Sequence, residues 1–381
     1  MKEDLKWRPR LMMMGAGAGA FVLFRALSTA PGLTEAVYGN ALGPLFASVL
    51  STLTGWVPLS VAEIVIVAFV VRQLWGATQG LLAVRDGDRF LSNALAGGAL
   101  RLGADVGVAV MLFYLLWGFN YARAPLEERR HWNGREAKVE ELARLARETI
   151  EAANFEYTGF TFADDLGEPS QAPARRELVE QLAAGWQEAG SILGAPRAAA
   201  LGFGAPKSLF ASRLLDYGQT AGFYFPWTGE ANFNRGTPDV SMPQVIAHEM
   251  SHQRGFARED EANFAGYLAA SLAPEPYPRY SAYVFAQRQL LAALARYDRE
   301  QAATLADLRL PGVQRDIRAA SDYWDQFEGR TSRATRSLNN AYLRTNRVPG
   351  GILSYSRSVE LLVAYARSRG GWLVRGGEDA R

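Results

Sequence analysis

Cysteine is absent from all 381 residues, which excludes disulfides, thiolate metal ligands and cysteine nucleophiles together. Histidine is almost as scarce, with three in the whole chain. Net charge is small, +2, and no basic stripe with interleaved aromatics stands out, so no nucleic-acid partner is expected. Charge is thinnest in the first third, where three apolar stretches lie, whereas the rest is mixed and charged. At this length two modules are expected.

The stretch that organises the chain is Ser241 to Ala270, SMPQVIAHEMSHQRGFAREDEANFAGYLAA, which holds two of the three histidines, His248 and His252, with Glu249 after the first. Four residues apart on a helix, both imidazoles reach one ion while Glu249 lies beside it, the HExxH arrangement of zinc hydrolases. Zinc in such sites takes three protein ligands and keeps one open position for a water, whose pKa falls to about 7. A neighbouring carboxylate can accept that water's proton.

Pro243 suits a first helical turn, and Gly255 suits the end, because glycine adopts the left-handed conformation that turns the chain back. The returning segment, Ala257 to Asn263, opens an alanine-rich helix and must bring the third ligand. Glu259 is that ligand, and Glu261, about 200° round the helix, is the alternative. Asn263, one turn beyond Glu259, is expected to hold a histidine tautomer from behind. His131 stands alone and is read as a surface residue.

The apolar stretches predict a membrane domain over 1–123 with three crossings, about 11–30, 61–77 and 104–121. The first has a basic start and small residues near its end, so a signal peptide is its alternative to an anchor. Pro31 to Pro58, broken by Gly43 and Pro44, is expected not to cross. Ser60-Val61-Ala62-Glu63 reads as a capping box. Lys2, Lys6, Arg8 and Arg10, and a loop carrying Arg72, Arg85, Arg89 and Arg101, fall on the cytoplasmic side under the positive-inside rule, which places 124–381 outside. The expected fold is a mainly α membrane protein, with an α+β zincin-like domain of many helices and a small sheet.

Within that domain, helices are expected over Arg135 to Ala153 and Ala174 to Leu193, and in five segments between Tyr277 and Ser368. The Gly370 to Arg381 tail is expected to fray. Gly222 to Thr228 is the clearest strand, an edge that could hold a substrate backbone by added-strand pairing. Tyr224, Tyr355 and Arg357 are candidate oxyanion partners, and Glu230, Asn232 and Asn234 could line the cleft.

The run Gly222-Phe-Tyr-Phe-Pro-Trp-Thr-Gly-Glu-Ala-Asn232, followed by HEMSHQRGFAREDEANF, resembles an uncharacterised bacterial family of membrane-anchored proteins filed as a domain of unknown function. Trp117-Gly-Phe-Asn-Tyr121, Tyr342-Leu-Arg344 and Ser354-Tyr-Ser-Arg357 extend the resemblance over most of the chain. It implies N-terminal membrane helices ahead of a glutamate-ligand zincin core, hence a zinc metallopeptidase of the bacterial inner membrane. Its partners would be membrane lipid and a peptide or protein substrate outside the cytoplasm. A zinc-fold sensor without turnover and a zinc amidase acting on cell-wall peptides are the rival expectations; oligomeric state is not readable.

Overall fold

The computed structural model describes residues 7–160, 167–346 and 357–374. The chain is mostly helical, with one small sheet. Four helical stretches are long and apolar enough to cross a membrane: α1 (Trp7–Leu27), α2 (Pro31–Gly55), α3 (Val61–Arg85) and α4 (Leu91–Leu116). The globular part follows with α5 (Val139–Thr158), α6 (Arg175–Ile192), β1 (Lys207–Ser208), α7 (Ser212–Tyr217), β2 (Gly222–Phe225) and β3 (Glu230–Phe233). Then come α8 (Met242–Gln253), α9 (Glu259–Ser271), α10 (Pro276–Leu294), α11 (Arg299–Ala306), α12 (Pro311–Asp325), α13 (Arg330–Thr345) and α14 (Ser358–Ser368). The helices expected after Ala270 are all present among the described residues.

Helices α1 and α4 run parallel and almost touch. A Cβ on Gly17 would lie 2.5 Å from the Gly107 carbonyl oxygen, and the Phe24 and Tyr114 rings stack at 4.9 Å. Small residues that admit such approach are what packs helices where water provides no hydrophobic drive. Helix α3 runs antiparallel to α4: Arg72 pairs with Asp105, Gln73 bonds the same carboxylate at 2.7 Å, and Gly76 faces Arg101. The ends of α1 and α4 and the start of α3 therefore lie at one end of the bundle, where the globular part sits.

Several sequence expectations change here. The third apolar helix begins at Leu91, well before 104, and breaks at Trp117 into a 3-10 turn, Gly118–Ala122. Arg72 and Arg101 lie within helices, not in the connecting loop. Gly43 and Pro44 do not break α2, because they follow a π-helical stretch, Glu35–Leu42, and occupy the first turn of the α-helix after it. There the N–H that proline lacks has little to lose. Both halves of α2 bond to the globular part or the domain end of α4: Tyr38 Oη donates to the Leu115 carbonyl, Ser48 Oγ to Gly202 and Thr54 Oγ1 to Thr228. Up to Val374 the tail does not fray: Leu373 is buried, and Glu148 accepts the Leu373 and Val374 amides at 2.9 and 2.7 Å.

The main core gathers the inward faces of α5, α6, α8, α9 and α10 around Trp186, Tyr267, Tyr280, Phe256 and Phe264. A second cluster, Phe24, Tyr38, Tyr114, Trp117, Phe119, Tyr121 and Leu343, joins the helical bundle to the globular part. The sheet order is β1-β3-β2, with β3 parallel to β1 and antiparallel to β2. Strand β2 is thus an edge, and its Gly222 pairs with Phe233 and its Phe225 with Glu230.

Candidate metal centre

Helix α8 starts with Pro243 in its first turn and buries Ile246, Ala247 and Met250 in the core. That burial fixes the helix so that His248, Glu249 and His252 face β2 and α9. The helix ends at Gln253, and Gly255 has φ +89°, the left-handed turn read from the sequence. Asn120 and Arg123 brace the turn: the Arg123 guanidinium donates to the Gly255 carbonyl at 3.0 Å. Glu259 then opens α9 at the site. Helix α9 comes so close to α8 that a Cβ on Gly266 would lie 2.8 Å from the His248 nitrogen.

Donor atoms of His248, His252 and Glu259 lie within 4.8 Å of one another. Glu259 Oε2 is 3.2 Å from His248 Nε2 and 3.6 Å from His252 Nε2. Ligands placed about 2.0–2.2 Å from a tetrahedral ion sit roughly 3.3 Å apart, so the spacing suits one small divalent cation. The His252 Nδ1 bonds the Phe256 carbonyl at 2.7 Å. A carbonyl only accepts, so Nδ1 carries a proton and Nε2 is the nitrogen that a cation would take, in exchange for any proton there.

The electrostatics favour positive charge at this point. Burial favours a neutral ring, but the Glu259 carboxylate outweighs it and lifts His252 to about 9. Burial would likewise raise Glu259, yet His252 and His248 hold its carboxyl well below the usual range. Glu249 is different: burial pushes it up to about 7 against the pull of both imidazoles. Its Oε2 has no hydrogen-bond partner among the described residues. Gly222 of β2 passes directly over this carboxylate, where a Cβ would lie 2.7 Å from Oε1.

Glu261 points away from the cluster: it accepts the Leu126 amide at 3.0 Å and pairs with Arg129 at 2.8 Å. The bond that orients a histidine from behind comes from Phe256, not Asn263, whose main-chain carbonyl accepts from Gln244. Tyr224 stands close, its ring 5.3 Å from Trp117, which in turn lies 5.9 Å from His252, and its hydroxyl is buried without a partner among the described residues. Arg357 pairs with Glu360, and Tyr355 lies outside the described residues. His131, with φ +53°, occupies an exposed turn.

Glu230, Asn232 and Asn234 prove to be joints. Glu230 accepts the Val61 and Ala62 amides at 3.1 and 2.7 Å and pairs with Lys207, while Asn232 accepts from Ser60 at 2.8 Å. Asn234 bonds Asp216 at 2.7 Å. The start of α3 is thereby fastened to the sheet next to the site. Ser60 does cap α3, accepting the Glu63 amide, but the Glu63 carboxylate reaches outward to the Phe210 and Ala211 amides, both at 2.8 Å.

Sequence reasoning passed over two contributors. Trp117 donates its indole N–H to the His252 carbonyl at 2.8 Å, tying α8 to the end of α4. Tyr342 of α13 meets the Tyr121 hydroxyl at 3.2 Å and lies near enough to Glu259 that this carboxylate joins burial in raising its hydroxyl. Both lie in segments that carried the family resemblance, the only signal in the sequence that marks them.

Fold and site together define a membrane-associated helical protein with a buried His-His-Glu cluster able to hold a cation. The chain belongs to the family described as "Protein of unknown function (DUF3810)", whose profile matches residues 38–363. No curated protein and no solved structure matches it.

Proposed function

We propose that this chain is a membrane-anchored zinc metallopeptidase. The observation that carries the reading is the conjunction at α8: three donor atoms at the spacing of one tetrahedral ion, beside a buried glutamate with an oxygen left free. A site that only bound metal would not need Glu249.

His248, His252 and Glu259 would hold the zinc. Bound there, the ion supplies a water of lowered pKa and polarises the scissile carbonyl. Glu249 takes the proton from the attacking water and passes it to the leaving amine. The Asn234 amide bonds the Ala221 carbonyl at 2.7 Å, so ladder alternation leaves the main-chain groups of Gly222 and Tyr224 on the open edge of β2. A substrate strand paired there would run past Glu249. Tyr224 and Tyr342 are the hydroxyls best placed to meet a developing oxyanion.

In this reading α1, α3 and α4 cross the bacterial inner membrane. Helix α2 begins and ends at the same end of the bundle, which supports its lying along the domain. Arg8, Arg10, Arg85 and Arg89 gather at the opposite end, which favours a domain outside the cytoplasm. The test is zinc content and peptide-library cleavage of the purified chain beside Glu249→Gln. One zinc per chain in both, with cleavage only in the wild type, is expected. Zinc without cleavage in either would refute the peptidase, and no zinc would refute the centre.

A further inference from the structure

The route by which a substrate reaches Glu249 follows from how β2 meets the membrane helices. Strand β2 starts at Gly222 over the Glu249 carboxylate and leads through Phe225 to Trp227. The Trp227 indole donates to the Ala109 carbonyl at 3.1 Å, and its ring lies 6.1 Å from Phe113. Trp117, level with His252, lies eight residues after Ala109, so the tip of the Trp227 indole, two residues beyond β2, meets α4 about 12 Å further along the helix axis, away from the domain. Since Asp105 faces Arg72, the antiparallel register sets Ala109 level with about residue 68 of α3. There α3 is bare and apolar, with Val67, Phe69 and Val70 all exposed.

The surface around the start of α3 agrees. Glu63 pins the Phe210 loop beside the first turn of α3, and there Phe210 is 84% exposed and Leu214 73%. Trp56 and Leu59, just before α3, are 86% and 63% exposed. Large apolar side chains left bare together mark a surface that meets another apolar phase, here at the point where an apolar helix leaves the domain.

We propose that the substrate is a polypeptide anchored in the same membrane and cut close to where it leaves the bilayer. The proposal rests on the metallopeptidase reading and on the crossing of α3 and α4. A chain paired with the open edge of β2 has one end over Glu249 and runs on from the other towards the depth of Trp227, within the outer leaflet. A soluble peptide would have to place that second end in lipid, whereas an anchored one already has it there.

The test uses the full chain with zinc in phosphatidylethanolamine and phosphatidylglycerol vesicles. One reporter pool carries a single transmembrane helix followed by a randomised linker and a tag; the other is the same linker and tag without the helix. Mass spectrometry of released fragments gives rates and cut positions. The anchored pool should be cut on the order of tenfold faster or more, because tethering raises the local concentration at the site. Cuts should cluster within about eight residues of the helix, since a four-residue edge at about 3.3 Å per residue spans only ~13 Å. Inserting ten residues after the helix should leave the cuts at the same distance from the membrane. Equal rates for the two pools, or cuts scattered along the linker, would overturn the proposal and leave the peptidase standing. No cutting of either pool, with zinc bound, would overturn both.

Discussion

The close approach of α8 and α9 is the most exacting test of the candidate site. Helices α8 and α9 carry the ligands between them, and they meet at Gly266, where a Cβ would lie 2.8 Å from His248 N and 3.0 Å from His248 Cα. Ordinary contact begins near 3.4 Å, and the neighbours are backbone that cannot swing aside. Gly266→Ala therefore forces the helices apart by about 0.6 Å, which in a packed core costs on the order of 1–3 kcal/mol. Glu259 lies two turns away on the same helix, and metal–ligand distances tolerate only about 0.2 Å. Zinc affinity should fall roughly 10- to 100-fold, the usual loss when a ligand's support is disturbed. Chelator competition measures the affinity and thermal melting the stability. Gly97→Ala is the control, because a Cβ there meets nothing within 4 Å. Wild-type zinc affinity and melting in Gly266→Ala would refute both the packing argument and the placement of the ion between these helices.

Glu259→Gln should abolish tight zinc binding with a modest change in melting. Glu261→Gln should spare zinc but weaken the fold by up to about 3–5 kcal/mol, because it takes the nearer of two carboxylates from the buried Arg129 and leaves it Glu35 at 3.8 Å; equal zinc loss in the two variants would reverse the ligand assignment. Lys207→Met removes the cation from Glu230, which holds the start of α3, so melting should drop on the same scale and protease should nick the chain near Trp56 to Ser60. An uncut, equally stable variant would show that this joint does not hold α3. The hydrogen bonds from Arg367 hold the Glu141 carboxyl at about 2 against an ordinary 4.5. A depressed carboxyl stabilises above its unfolded pKa and loses that contribution as pH falls towards the folded one. The melting penalty of Arg367→Met should accordingly be full above about pH 5 and fade towards pH 2. A penalty that is flat with pH would mean that the pair contributes through packing alone.

What could be read from the sequence was what is local. The HExxH spacing needs only one helix, the Gly255 turn only one residue, and the choice of Glu259 over Glu261 only the rotation of a helix. The geometry places Glu259 at the cluster and turns Glu261 to Arg129 for just that reason. Reading failed where a side chain's partner lies far along the chain. Glu230 and Asn232 look like cleft residues because they precede the HExxH helix, but their partners at Ser60, Val61 and Ala62 are about 170 residues away. Nothing near Trp117 in sequence discloses that its indole holds the His252 carbonyl 135 residues on.

These residues and Arg123 share one task. Trp117, Arg123, Glu230 and Asn232 all tie the ends of the long apolar helices to the elements that carry or flank the candidate centre. Such ties have a physical consequence: the position of α8 and β2 relative to α3 and α4 is fixed by buried hydrogen bonds and ion pairs, not by a flexible linker. A tethered soluble domain would need none of them. Their number argues that the helical bundle and the elements around the cluster form one packed unit.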